Sequence, residues 1–340
     1  MEIMQPNANL AAFVSESEIE ALLAAVAART RDPIAGIFGP QSISWRINRE
    51  SALFLGAGRA ALLQLAHPWV TAALAEHSTV MSRPITRFHN TFRIVFTMIF
   101  GSLEQAMAAA RHLYLVHTRI GGQMTEDIGQ WKHGSRYEAN EIGALRWVFA
   151  TLVESAVIAH DRVLPPLSAA EREQYYVECR ILAGLFGIPA AELPDNWAAF
   201  IAYNQAMHDS DQLGVTATAR TMAHDLLAGV GSWIHPPFWY RALTTEWMPE
   251  RFRREFALPF GAPEQRSAAR ASRRLPAIYR LLPAAIRFTG PWRQARSRLA
   301  GKPVSVLTRW NNRFWIGQTL LPFDASPAVR GSSLGRDTLA

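Results

Sequence analysis

The chain has 340 residues, 49% of them hydrophobic, a net charge of +7 and one cysteine, Cys179. That apolar content can bury a large core, and a lone cysteine excludes an intrachain disulfide and fits a reducing compartment, so a disulfide-stapled secreted scaffold is excluded. Helix formers dominate, strand-like alternation is scarce and no repeat is visible, which predicts an all-α fold in a single compact multi-helix domain.

Residues 1–40 read as a peripheral N-terminal arm with one helix, Glu16 to Arg31, before turns at Pro33 and Gly36-Ile37-Phe38-Gly39-Pro40. The first residues lack a basic start and a signal-like apolar run, so no standard export signal and a cytoplasmic location are expected. A helical run follows from Arg49 to Ala66, with Gly56-Ala57-Gly58 inside it to permit close approach of a helix or ligand. This is no dinucleotide fingerprint, because a third glycine and a preceding strand are missing. Pro68 breaks the run, leaving His67 at the break, and a second segment is predicted from Val70 to Val80. Arg83 to Thr91 reads as a polar loop leading into the apolar run Phe92 to Phe100.

Ser102-Leu103-Glu104-Gln105 is a capping-box start and Gly121-Gly122 a stop, which frames the most informative helix. Leu103, Met107, Ala110, Tyr114, His117 and Gly121 share one face, so His117 is predicted to point inward, while His112 falls away from that face. A buried imidazole needs both ring nitrogens occupied. A satisfied core histidine and an axial metal ligand both fit the pattern.

A loop to Tyr137 precedes an amphipathic helix from Glu138 to His160, and Ser168 to Glu171 caps another helix that Gly187-Ile188-Pro189 closes. Further helices are predicted at Asn196 to His208, Val215 to Leu227, Pro237 to Trp247 and Pro263 to Leu281, completing a domain of residues 41–324 before a disordered tail, 325–340. The apolar stretch Trp147 to Ala159 is too short for a bilayer and contains Glu154, so no transmembrane helix is expected. Arg251 to Lys302 holds thirteen Arg or Lys against Glu255 and Glu264 only, either a solvated face or a contact for an anionic surface. No nucleic-acid-binding motif is present.

Common active sites lack their residues: the chain has no His-Glu-x-x-His, Glu-x-x-His, Cys-x-x-Cys-His or phosphate-binding loop. His208-Asp209-Ser210-Asp211 reads as a helix-ending turn rather than a metal cluster. What remains is an ordered set: Leu62-Leu63-Gln64-Leu65-Ala66-His67-Pro68, Glu76-His77-Ser78, Arg87-x-x-x-Thr91, Phe100-Gly101-Ser102-x-Glu104, His117-x-x-Ile120-x-Gly122 and Tyr137-x-Ala139.

In that order, over Ser42 to Ala206, the chain resembles the MpaB and latex-clearing-protein (rubber oxygenase) family. The resemblance implies an all-α fold with non-covalent haem b, and an oxidoreductase that uses dioxygen on a hydrophobic, unsaturated substrate, with oxidative C=C cleavage in the rubber-cleaving members. It implies His117 as the proximal iron ligand, Arg87 and Thr91 as distal residues near bound dioxygen, Glu76 as a counterpart of the acidic base, and His67 as a residue buttressing the cofactor pocket. A guanidinium and a hydroxyl can both donate hydrogen bonds there. Arg93-x-x-x-Thr97 repeats the distal spacing six residues on, and Arg87 is preferred for its place in the polar loop.

Asn90 stands where the rubber oxygenases carry a lysine before the threonine, so distal lysine coordination is not expected. Phe88, Phe92, Phe96, Tyr114, Trp147 and Phe149 are the candidate pocket walls. The rival readings are a non-catalytic helical protein that touches a lipid or membrane surface through its Arg-rich part, and a haem sensor or carrier.

Overall fold

Hydroxyl caps set many of the helix starts. Ser15, Ser102 and Ser168 each close a capping box, accepting from the backbone N–H three residues on while Glu18, Gln105 and Glu171 reach back to the cap. The computed structural model describes residues 12–77 and 84–323, and among them there are sixteen α-helices and one two-stranded sheet. The fold is all-α. The expected disordered tail and the end of the predicted Val70 to Val80 segment lie outside the described residues.

In chain order the first helices are α1 (Glu16–Arg29), α2 (Ile43–Asn48), α3 (Ala57–Leu65), α4 (Pro68–His77), α5 (Pro84–Phe100) and α6 (Leu103–His117). Strands β1 (Gly121–Gln123) and β2 (Arg136–Glu138) pair antiparallel, Gly122 opposite Tyr137. Then come α7 (Ile142–Val163), α8 (Ala169–Gly184), α9 (Trp197–Asp209), α10 (Ala217–Ala228), α11 (Phe238–Trp247) and α12 (Glu250–Glu255). The chain ends in α13 (Ala262–Leu281), α14 (Ala284–Arg287), α15 (Gly290–Leu299) and α16 (Val306–Ile316).

Helix α7 is the axis. It buries residues on nearly every side, among them Leu145, Trp147, Phe149, Val153 and Val157, and α3 and the preceding 3-10 turn Ser51–Gly56 lie along it. Gly56 makes that approach possible, because a Cβ there would strike the Ser155 carbonyl. The one charge at the contact is neutralised: buried Arg59 donates to Glu154 at 2.6 Å, Ser155 at 2.9 Å and the Trp247 carbonyl at 2.9 Å. Among the described residues, α7 alone is long and apolar enough to cross a membrane by length and composition, which corrects the expectation that no stretch qualifies. Its extra apolar length comes from Ile142, Ala144 and Leu145 ahead of Trp147, and much of its surface is used inside the protein.

Four other expectations are corrected. The arm is not peripheral: Ile19, Leu23 and Val26 of α1 join the main core beside α8. The run from Arg49 to Ala66 is a 3-10 turn followed by α3. The glycine-containing stretch before Tyr137 contains the β1–β2 hairpin, and α6 stops at His117, short of the glycines, which are strand residues. The polar stretch before Phe92 is no loop from Pro84 onward: α5 begins there, a residue whose fixed φ suits a helix start and whose missing N–H costs nothing at that position.

Candidate functional site

Helices α5 and α6 form an αα-hairpin joined only by Gly101 and Ser102. In such a hairpin, residues equidistant from the turn come side by side. Arg87 lies fourteen residues before Gly101 and His117 fifteen after Ser102, so the two fall at one height. They do sense each other: burial pulls the His117 imidazole down to about 4, and the charge of Arg87 adds to the shift. His117 is neutral at physiological pH as a result.

Protein packed around the two groups lowers the pKa of each, yet both keep accessible surface. His117 is half-buried and Arg87 is exposed, although partial burial of its guanidinium lowers its pKa. Among the described residues, neither the His117 ring nor the Arg87 guanidinium forms a hydrogen bond or ion pair. Thr91, one turn from Arg87 on the same face, is half-buried, and its hydroxyl too has no partner among them. Asn90 is exposed. His112 is exposed as well, its ring 5.6 Å from that of Phe323.

The second arginine–threonine pair is built differently. Arg93 Nε donates to the Ile316 carbonyl at 3.1 Å, tying α5 to α16, and the buried Thr97 hydroxyl donates to the Arg93 carbonyl at 2.7 Å. Both groups are spent on holding the fold together.

Glu76 and His77, at the end of α4, lie over the hairpin that follows α6. Tyr137 donates its hydroxyl to Glu76 Oε2 at 2.6 Å, and His77 Nε2 is 3.0 Å from the Gly121 carbonyl oxygen. Burial and the neighbouring carboxylate push the Tyr137 hydroxyl well up, so it stays a donor. Gly122 makes room for this pair, since a Cβ there would meet Glu76 Oε2 and the Tyr137 hydroxyl. Glu76 is thus beside the chain leaving His117, but its contacts among the described residues are Tyr137 and His77 rather than Arg87 or Thr91. The Tyr137 partnership has no local sequence signal, because it joins residues 61 positions apart.

His67 is buried at the α3–α4 break, its ring 5.8 Å from Trp131 and 6.5 Å from Trp69, and burial draws its pKa down to about 4. Its Nδ1 has no partner. No contact with His117 or Arg87 brings it into their space. Of the expected pocket walls, Phe92, Phe96 and Phe149 line an apolar cavity of about 60 Å³ between α5 and α7, while Phe88 and Tyr114 are half-buried. Trp147 belongs to a second core and donates Nε1 to the Leu63 carbonyl at 2.9 Å. His208 to Asp211 ends α9, with the Ser210 hydroxyl donating to the Met207 carbonyl.

Residues 45–288 match the family model described as ER-bound oxygenase mpaB/B'/Rubber oxygenase, catalytic domain, and the chain belongs to that family. The match runs beyond Ala206 to include α10 to α14, and leaves out α1, α15 and α16, although all three pack into the same core. Comparisons with curated proteins and with solved structures give no match.

Proposed function

We propose that the protein is a haem-b-dependent oxygenase that uses dioxygen to cleave a C=C bond in a hydrophobic, unsaturated small molecule. One observation carries this reading: His117, neutral, lies near enough to Arg87 to feel its charge, and neither has a protein partner among the described residues. The residues fit a haem. A porphyrin supplies four nitrogens, so its iron needs a single imidazole with a free lone pair. No cluster of three or more His, Cys, Asp or Glu that would suit a protein-only metal site occurs among the described residues. When bound, the haem supplies the one-electron and dioxygen chemistry that amino-acid side chains lack.

The remaining work falls to the chain. His117 would hold the iron from one side, its pKa low enough that protons do not compete for the ring nitrogen at neutral pH. Arg87 and Thr91 would donate to the oxygen atoms of the co-substrate, fixed one turn apart on α5, and Arg87 would stabilise negative charge as it develops there. Glu76 is the candidate general base, its carboxylate oriented by the Tyr137 hydroxyl. His67 would buttress the pocket from behind Trp69 and Trp131. The aromatic row Phe88, Phe92 and Phe96, with neighbouring rings 4.6 Å and 5.7 Å apart, would exclude water and favour an apolar substrate.

The optical spectrum of the protein expressed with a haem supply tests the cofactor. A Soret band at about one haem per chain, abolished in His117→Ala and kept in His112→Ala, is the expected result. Colourless protein overturns the reading. Oxygen uptake with an alkene then separates an oxygenase from a haem carrier or sensor.

A further inference from the structure

The basic charge of this chain is gathered at its C-terminal end. Residues 265–323 contain twelve Arg or Lys and not one Asp or Glu, which exceeds the net charge of the whole chain, +7. Arg266, Arg270, Arg273, Arg274, Arg280 and Lys302 are exposed there, and none forms an ion pair with a described residue.

Helix α16 adds an apolar stripe to that charge. Its inner side, Thr308, Asn312 and Ile316, is buried, with Asn312 donating to Gln294 at 2.8 Å. Its outer side presents Val306, Leu307, Trp310 and Phe314, between 52% and 73% exposed, at a spacing that puts all four within about a third of the helix circumference. Exposed Arg309 and Arg313 border the stripe along one edge. Asn311 donates to the Ala285 carbonyl at 2.9 Å, which sets α14 beside α16 and brings exposed Ile286 to the same end of the molecule as Leu281, 85% exposed. So many large apolar side chains in one place, most of them outside the family-matched residues, have no function inside this fold.

We propose that this face docks on an anionic lipid surface, with Trp310 and its apolar neighbours inserted at the headgroup boundary and the arginines paired to lipid phosphates. Two features select lipid. Leu281, Ile286, Val306 and Leu307 are aliphatic, so they gain from burial in acyl chains and cannot stack on nucleic-acid bases. A second copy of the same face would bring the uncompensated cations of both together, which opposes self-association.

The docking face is mounted on the helix that carries the candidate site. The Phe314 carbonyl is 2.9 Å from His89 Nε2 and the Ile316 carbonyl accepts from Arg93, both on α5. Docking would therefore hold α5 beside the bilayer in which an apolar substrate dissolves. This consequence rests on the oxygenase reading, whereas binding to lipid does not.

Flotation of the full-length protein with vesicles of phosphatidylcholine, with and without phosphatidylglycerol, tests the proposal. Binding is expected on the phosphatidylglycerol vesicles and to weaken as salt rises. Leu307→Ser with Trp310→Ser should lower partitioning about tenfold or more, and Arg309→Gln with Arg313→Gln should lower the preference for phosphatidylglycerol. All four side chains are exposed, so the variants should keep the parent melting temperature and circular dichroism. Absence of flotation, flotation unchanged in the serine variant, preference for single-stranded RNA over vesicles, or dimerisation that the serine variant abolishes would each overturn it. The haem spectrum is read separately, so either proposal can fail alone.

Discussion

Two arginine–threonine pairs six residues apart on α5 have the same chemistry and spacing and opposite surroundings. Arg93 and Thr97 are committed to carbonyls of α16 and of α5 itself, with Thr97 fully buried. Arg87 and Thr91 have no partner among the described residues, and Arg87 faces a neutral imidazole. Polar groups that fold a protein are satisfied by it, while groups set aside for a ligand wait unsatisfied. The difference separates a structural pair from a candidate site more sharply than spacing does.

The largest expected contrast is between the two arginines. Arg87→Gln should lower kcat/KM by about 10²- to 10³-fold, the effect of removing one preorganised donor, and should leave the melting temperature of the haem-free protein the same or higher because Arg87 has no bond to a described residue to lose. Arg93→Gln should do the reverse, costing about 1 kcal/mol of stability through the lost bond to the Ile316 carbonyl while sparing catalysis. Denaturant unfolding and steady-state kinetics on both variants would check this. Equal losses of activity would erase the distinction between the pairs.

Acid should act next, through the histidines. His117 and His67 both have folded-state values of about 4 against an ordinary value of 6.5, so the unfolded chain binds more protons between those limits. Stability is full above pH 7, falls as pH drops through 6.5 and stops falling on their account below about 4. At pH 5 each histidine costs no more than about 2 kcal/mol. Urea titrations at the two pH values should show the loss, and His117→Ala should remove its share of it. Unchanged stability across the window would mean that the rings are hydrated in the folded state.

How much of this was readable beforehand follows from the range of the forces involved. Capping boxes at Ser102 and Ser168 and the inward turn of the His117 face are local, and they were legible. So was the family, through an ordered set of short fragments. The start of α5 is not legible from polarity, because Arg87, His89 and Asn90 read as a loop although Pro84 suits a first helical turn. The nearness of Arg87 and His117 is present in the sequence as distances from Gly101-Ser102 that differ by one residue, and needs only the hairpin to be seen. Tyr137 with Glu76, Arg59 with Glu154 and Arg93 with Ile316 were not legible, since each joins residues brought together only by the folded chain.

The threonines give the smallest and most discriminating test. Valine copies the shape of threonine and its β-branch, so substitution removes the hydroxyl and little else. At Thr97 the Arg93 carbonyl keeps its helical N–H bond, and the buried methyl gained offsets part of the hydroxyl bond lost, so stability should move by no more than about 1 kcal/mol and turnover should hold. At Thr91 the hydroxyl has no partner among the described residues, and stability should not change. If it donates to the co-substrate, the loss of one hydrogen bond should slow turnover about tenfold, in kcat rather than KM. A Thr91→Val enzyme at full speed would reduce the site to His117 and Arg87. A Thr97→Val enzyme slowed to the same degree would show that α5 transmits its shape to the site, and that a satisfied pair can matter as much as a waiting one.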